Sequence, residues 1–274
     1  MIGSTILPNE KRPLLFAHRG ISSEAPENTM AAFKLARDFG IPGIELDIHI
    51  TKDGKLAVIH DQDTGRVAGC LENDGTRIQP GSSAKNRGVS IEASDWKTLS
   101  AIDIGSWKGS TFKNERIPLL SDLFEELGNA VYFDIELKST TKADLGLEAA
   151  AAASIRAADG GRGLAERCIV SSFNPFALAR FKAIMPEIKT AIIWCEDEGL
   201  PYFLRHGEGR WLGKVDFLKP AQEKVKKTSS FRWRKLEGYE FLPWTVDDPQ
   251  EAQRILAVGA SGVVSNRPHK LCLS

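Results

Sequence analysis

Four stretches of the sequence carry ionisable residues at strand spacing or at strand ends. Glu45 and Asp47 stand two apart in Gly43-Ile44-Glu45-Leu46-Asp47-Ile48-His49-Ile50. Alternate residues of an extended chain project from one face, so the two carboxylates share a face and Ile44, Leu46, Ile48 and Ile50 take the other. Asp134-Ile135-Glu136-Leu137-Lys138 repeats the arrangement. There Glu136 and Lys138 share a face, with Asp134 lower on it as a ligand or a layer residue. Two histidines end apolar runs, in His18-Arg19-Gly20 and His60-Asp61. Carboxylates crowded among apolar residues repel each other and lose hydration, which is costly or forces a proton onto one of them. A hard divalent cation, Mg²⁺ or Ca²⁺, is the simplest compensator. The alternative is an edge strand whose carboxylates face water, and the flanking isoleucines argue against it. Arg19 and Lys138 beside such a cation suit an anionic, phosphate-like group. Imidazole titrates near neutral pH, so His18 and His60 form a candidate acid/base pair for a displacement. The spacing leads to metal-assisted phosphoryl chemistry, not to a particular substrate.

Strands alternating with helices must position these residues. Leu14 to Ala17 is a short apolar run, and Asn28 to Phe39 reads as a helix with Gly40 at its C-terminal stop. Gly43 to Ile50 and Lys55 to His60 are strand-like, separated by the turn signal Asp53-Gly54. Leu119 to Leu127 is helical, Ala130 to Leu137 a strand, and Ala143 to Ala158 an alanine-rich helix. Strands follow at Cys168 to Phe173, Lys189 to Trp194, Val215 to Leu218, Glu240 to Val246 and Gly262 to Ser265, with helices at Pro175 to Ile184 and Pro249 to Val258. About eight such units predict an α/β chain folded as a (β/α)₈ TIM barrel, which gathers its active site at the C-terminal ends of its strands. No glycine-rich nucleotide fingerprint follows any strand. Two stretches break the rhythm. Residues 61–118 read as a small insertion after the strand ending at His60, and residues 219–238 are dense in Lys and Arg with no clear pattern. The expectation is a single domain over residues 1–274.

The composition excludes other classes. The 274 residues carry 36 Lys+Arg against 36 Asp+Glu, with 42% hydrophobic and 26% charged residues. That is neither a disordered chain nor one with a global field for nucleic acid. No run of about 18 apolar residues predicts a membrane span. Pro8, Asn9, Glu10, Lys11 and Arg12 stand where a signal peptide needs its apolar stretch, and Cys70, Cys168, Cys195 and Cys272 lack metal or disulfide spacing. A cytoplasmic enzyme is expected.

The chain resembles the glycerophosphodiester phosphodiesterase family. The resemblance is carried by His18-Arg19-Gly20, Pro26-Glu27-Asn28-Thr29, Glu45-Leu46-Asp47, His60-Asp61, Ile117-Pro118, Glu136-Leu137-Lys138, Ser171-Ser172-Phe173, Trp244-Thr245-Val246 and Gly262 to Pro268. It implies a (β/α)₈ barrel with a divalent cation, Mg²⁺ or Ca²⁺. The implied reaction hydrolyses a small-molecule glycerophosphodiester to glycerol 3-phosphate and an alcohol. Carried over by motif, Glu45, Asp47 and Glu136 are the metal ligands and His18 and His60 the general acid/base pair. Arg19 and Lys138 meet the phosphate, Glu27 supports the site, and Trp244 walls the glycerol pocket. The resemblance also suggests attack by the glycerol 2-hydroxyl, giving a cyclic phosphate that water opens.

The sequence departs from the family after His60-Asp61, where Gln62-Asp63-Thr64-Gly65-Arg66 replaces the usual Pro-Thr-Leu continuation, and at Ser265-Asn266, where Thr-Asp is usual. These positions bear on alcohol specificity. A lysophospholipase D activity is the alternative at the same site, requiring an apolar groove from Phe112, Trp107 and the insertion. A non-catalytic barrel is disfavoured because no catalytic position is lost. Trp96, Trp107, Trp194, Trp211 and Trp233 read as packing residues. His49, His206 and His269 read as ordinary. The basic run Lys224, Lys226, Lys227, Arg232 and Arg234 reads as a solvated face, with a membrane-surface contact as the alternative.

Overall fold

The computed structural model describes residues 6–7, 11–68, 88–139, 141–161, 163–197 and 201–273. Cys70 and the middle of the expected insertion lie outside them. Seven parallel strands form one curled sheet: β1 (Leu14–His18), β2 (Gly43–Ile50), β4 (Tyr132–Leu137), β5 (Cys168–Ser172), β6 (Lys189–Trp194), β7 (Phe217–Pro220) and β8 (Gly262–Ser265). Their order is β7-β6-β5-β4-β2-β1-β8. The segment 240–246, expected as a strand, makes ladder hydrogen bonds to both ends of that order. Leu242 and Trp244 donate to Leu218 and Pro220 on β7, while Ser261 and Val264 donate to Phe241 and Pro243.

The strand period sorts the core. One face of the strands, with Ile44, Leu46 and Ile48 of β2 and Phe133, Ile135 and Leu137 of β4, packs against helices. Those helices include α1 (Met30–Asp38), α3 (Leu120–Leu127), α4 (Leu147–Asp159), α5 (Pro175–Ile184) and α8 (Pro249–Ala257). The opposite face begins with a separate apolar plug of Phe16, Tyr132, Ile169, Phe217 and Leu242, and this plug is the floor beneath the polar residues. Helix starts follow side-chain caps: Thr29 accepts from Ala32 N, Asn174 from Phe176 N, and Asp248 from Gln250 and Glu251 N. The helix expected from Asn28 begins at Met30 because Asn28 and Thr29 turn outside helical geometry.

The strand expected over Lys55 to His60 is different in kind. β3 (Leu56–Val58) is a three-residue antiparallel partner of β2. The Thr51–Lys55 turn closes it with a 2.8 Å backbone bond, and a connection that short cannot reach a parallel position. Ile59 N then donates to the Asp47 carbonyl (3.0 Å), which delivers His60 beside Asp47 on the neighbouring strand. Beyond it, Ala57, Ile59, Ile91, Leu99, Ile104 and Ile117 form a satellite core under residues 88–118. Trp96 and Trp107 pack on that core, and Trp194 and Trp233 meet edge to face inside the main one.

The turn after β1 depends on one glycine. Gly20 has φ +80°, and a Cβ there would lie 2.6 Å from the Ala32 backbone carbon. Gly20→Ala is expected to cost about 2 kcal/mol or more, read as a lowered urea-unfolding midpoint. An unchanged midpoint would contradict this account of the turn.

Candidate active site

Above the apolar floor the interior becomes polar in two steps. Asp134, on β4, is fully buried and receives Lys219 Nζ of β7 at 2.6 Å and the Ser171 hydroxyl of β5 at 2.9 Å. Lys219 Nζ also donates to Ser171 Oγ (3.0 Å). Register pairs Glu45 with Asp134 and with His18, and Asp47 with Glu136, so the next step brings these groups together at the strand ends. One oxygen each from Glu45, Asp47 and Glu136 lies within 4.8 Å of the others. The two carboxylates expected on one strand face are there, joined by the one expected from β4.

Cations surround this cluster. Lys138 Nζ stands 3.0 Å from Asp47 and 2.8 Å from Glu136. Arg19, at φ +56° just past β1, sends its Nε to 3.3 Å from Asp47 and its NH1 to 2.8 Å from Glu27, while its backbone N–H donates to Glu45 (3.0 Å). Burial works against the charge on Asp47, but Lys138 and Arg19 outweigh it and hold the carboxyl well below the ordinary range. Glu45 goes the other way, raised by burial and by the charge of Asp47. The cluster therefore cannot hold all its negative charge with protein cations alone. Asp47 Oδ1 is buried, with the Lys138 ammonium at 3.0 Å as its contact. In the connected network six carboxylates, Glu27, Glu45, Asp47, Asp61, Asp134 and Glu136, meet four fixed cations, Arg19, Arg66, Lys138 and Lys219, and the rings of His18 and His60. A divalent cation would let Glu45 ionise with the rest, and three carboxylates are the donor set that Mg²⁺ or Ca²⁺ prefers. The residues fit such an ion.

The histidines are braced differently. His18 Nδ1 lies 2.7 Å from Asn266 Oδ1, and Asn266 Nδ2 donates to Asp247 (2.7 Å). Because the Asn266 oxygen must accept, neutral His18 carries its proton on Nδ1 and keeps Nε2 open, 3.9 Å from Glu45. Burial, then the Arg19 charge, lowers its pKa to about 3. His60 Nδ1 meets Asp61 at 2.7 Å, and Asp61 is held by Arg66 Nε at 2.6 Å. Arg66 also forks onto both oxygens of Glu27, each at 2.7 Å. Glu27 thereby joins the two histidine arms. Trp244 stands edge to face with Phe173, ring centres 5.7 Å apart, on the wall of the cavity above the cluster.

Several site residues were not legible in the sequence. Lys219 opens the Lys- and Arg-rich segment that shows no clear pattern, yet it is 2% exposed in the interior. Asn28 donates to Asp47 (2.8 Å), and Arg66 stands in the stretch that departs from the family. His49, read as ordinary, lies against His60: its Nε2 donates to the His60 carbonyl (3.1 Å) and its Nδ1 faces Glu92 at 3.5 Å. Its face of the strand carries Glu45 and Asp47, which was the available signal. Phe112 and Trp107, required for an apolar groove, line neither cavity at the mouth. Cys168, Cys195 and Cys272 are free. Among the described residues no helix is long and apolar enough to cross a membrane.

Glu27 gives a test of the network by pH. Burial opposes its charge, but Arg66 and Arg19 outweigh it and hold its pKa to about 2. A depressed folded pKa stabilises above the unfolded value and loses that contribution as pH falls toward 2. Glu27→Gln is expected to lower unfolding free energy by about 3 kcal/mol at pH 7, the gap narrowing at pH 3. A gap that is the same at both pH values in urea titrations would contradict the pairing.

A model of the glycerophosphoryl diester phosphodiesterase family matches residues 18–270. A glycerophosphodiester phosphodiesterase of Caldanaerobacter subterraneus is 30% identical over 261 residues, covering 95% of this chain and 96% of its own. One from Bacillus altitudinis is 28% identical, covering 93% and 95%. A solved Oleispira antarctica phosphodiesterase, in complex with the product sn-glycerol-3-phosphate, superposes with TM-score 0.74 at 28% identity, over 94% of this chain and 95% of that one. With its carboxylates, histidines and cations converging at one end of a parallel sheet, the chain belongs to the glycerophosphoryl diester phosphodiesterase family.

Proposed function

We propose that the enzyme hydrolyses glycerophosphodiesters to glycerol 3-phosphate and an alcohol, and that it does so at the mouth of a closed (β/α)₈ barrel. The observation that carries this reading is the convergence of Glu45, Asp47 and Glu136 with Arg19, Lys138, His18 and His60 around one cavity. The chain is read as one domain, residues 61–118 being an insertion, and its free cysteines fit a reducing, cytoplasmic setting.

Glu45, Asp47 and Glu136 would hold the divalent cation, which when bound supplies positive charge to the phosphoryl oxygens. Arg19 and Lys138, both in contact with Asp47, offset the charge that the phosphate brings. The glycerol 2-hydroxyl then attacks phosphorus as the bond to the leaving alcohol breaks. His18 presents an unprotonated Nε2 and takes the hydroxyl proton; His60 gives one to the departing oxygen. In the second half water opens the cyclic phosphate with the two roles exchanged. Asn266 and Asp61 fix the two rings through Nδ1, so that each Nε2 is the working atom. Trp244 and Phe173 wall the glycerol.

Incubation with glycerophosphocholine and lysophosphatidylcholine, with Mg²⁺, Ca²⁺ or EDTA, tests the reading. Glycerol 3-phosphate release from the former, abolished by EDTA, is expected; faster turnover of the lysophospholipid would favour a lysophospholipase D instead. His18→Ala and His60→Ala are each expected to lower kcat by about 10² or more. Variants retaining most activity would remove the acid/base assignment.

A further inference from the structure

The cavity at the strand ends has two lobes that meet at the working groups. The first, about 520 Å³, extends over β5, β6 and β8 and is bordered by His18, Ile193, Cys195 and Trp244. The second, about 370 Å³, lies over the ends of β2, β4 and β5 and is bordered by His49, Asp61, Leu137, Ser139 and Ser172. His60, Gln62, Glu136, Lys138 and Phe173 border both lobes, whereas His18 borders only the first. A phosphodiester sends two ester arms away from one phosphorus. A phosphate held at Lys138 and Glu136 would direct one arm into each lobe. Trp244, which borders only the first lobe, assigns the glycerol arm to it, and the second remains for the alcohol.

We propose that the second lobe binds the leaving alcohol and selects a small uncharged polyol, such as a second glycerol, over a cationic amino-alcohol. This inference rests on the diesterase reading above. Its warrant is that, once a cation sits on Glu45, Asp47 and Glu136, each carboxylate bordering this lobe has a positive partner. Asp61 accepts from His60 and Arg66, and Lys138 contacts Asp47 and Glu136. Glu136 contacts Lys138 and would be a ligand of the divalent cation. An ammonium group entering here would lose hydration without finding an uncommitted carboxylate. It would meet a single aromatic ring, Phe173, which stands at 89° to Trp244, whereas quaternary ammonium recognition uses cages of several rings. The neutral groups match hydroxyls. Ser139 Oγ accepts from Asn174 Nδ2 (3.2 Å), which leaves its O–H to donate, and the exposed Gln62 adds an amide at the rim. Ser172 is committed elsewhere, donating to the Leu137 carbonyl and accepting from Asn174 N.

The test compares three diesters that share the glycerol phosphate half: glycerophosphoglycerol, glycerophosphocholine and glycerophosphoethanolamine. With Mg²⁺ present, kcat/KM for glycerophosphoglycerol should exceed the other two by tenfold or more, and calorimetric affinities should rank the same way. Equal or inverted rankings overturn the selectivity. Ser139→Phe, and as a milder variant Ser139→Leu, narrow the second lobe. Both should lower kcat/KM for glycerophosphoglycerol by tenfold or more and leave the inhibition constant of glycerol 3-phosphate within twofold. Cys195→Phe, in the first lobe, should raise that inhibition constant. If Ser139→Phe weakens glycerol 3-phosphate as much as the diester, the two lobes are wrongly assigned. An enzyme that binds glycerophosphoglycerol preferentially but turns over none of the three would sink the diesterase reading and keep this one. Equal turnover of all three would do the reverse.

Discussion

The mutual repulsion of Glu45, Asp47 and Glu136 is the constraint around which the rest of the site is arranged. Three carboxylates with oxygens inside 4.8 Å and little water cannot all stay charged unaided. Asp47 stays charged because Lys138, Arg19 and Asn28 converge on it, and Glu45 is left raised. Beneath them, Lys219 and Asp134 form a buried pair whose cation also acts on Glu45. An arrangement this unfavourable without a counterion fits the cation that the proposed function assigns to it. The protein cations are then available to the anionic substrate as well as to the carboxylates.

The scaffold follows from that requirement. The parallel strands turn every second residue inward, so β1, β2, β4, β5 and β7 deliver His18, Glu45, Asp47, Glu136, Ser171 and Lys219 above an apolar base. The Phe16, Tyr132, Phe217 and Leu242 floor closes the interior to water and keeps the charged layer at a fixed height. Glu27 and Arg66 extend the same logic sideways. They tie the loop after β1 to the loop after β3, and so set the distance between the two histidine arms. The antiparallel β3 serves this end as well, returning the chain so that His60 lands beside Asp47.

Much of this was legible from residue spacing. The i, i+2 carboxylates, the histidines at strand ends and the repeated strand–helix rhythm identified the fold class and the residues that gather at the mouth. What escaped did so for physical reasons. Lys219 stands at the edge of a Lys- and Arg-rich segment, and composition cannot tell a buried lysine paired with Asp134 from its solvated neighbours. Asn28, Arg66 and Asn266 act on other side chains through hydrogen bonds between segments far apart in sequence, and no local pattern encodes that. His49 had the right face but no apparent partner, because its partner is the backbone carbonyl of His60. β3 was legible as a strand after the Asp53-Gly54 turn, but its short antiparallel pairing with β2 depends on contacts that the run itself does not encode.

The most direct test of this account is calorimetric titration of Mg²⁺ and of Ca²⁺ into the metal-free protein, in the absence of substrate. One ion per chain is predicted, with Glu45→Gln, Asp47→Asn and Glu136→Gln each weakening it by about tenfold or more while the fold, read by circular dichroism, is kept. Undiminished affinity in all three variants, or no binding to the parent protein, would contradict the claim that the carboxylate cluster is built for a cation.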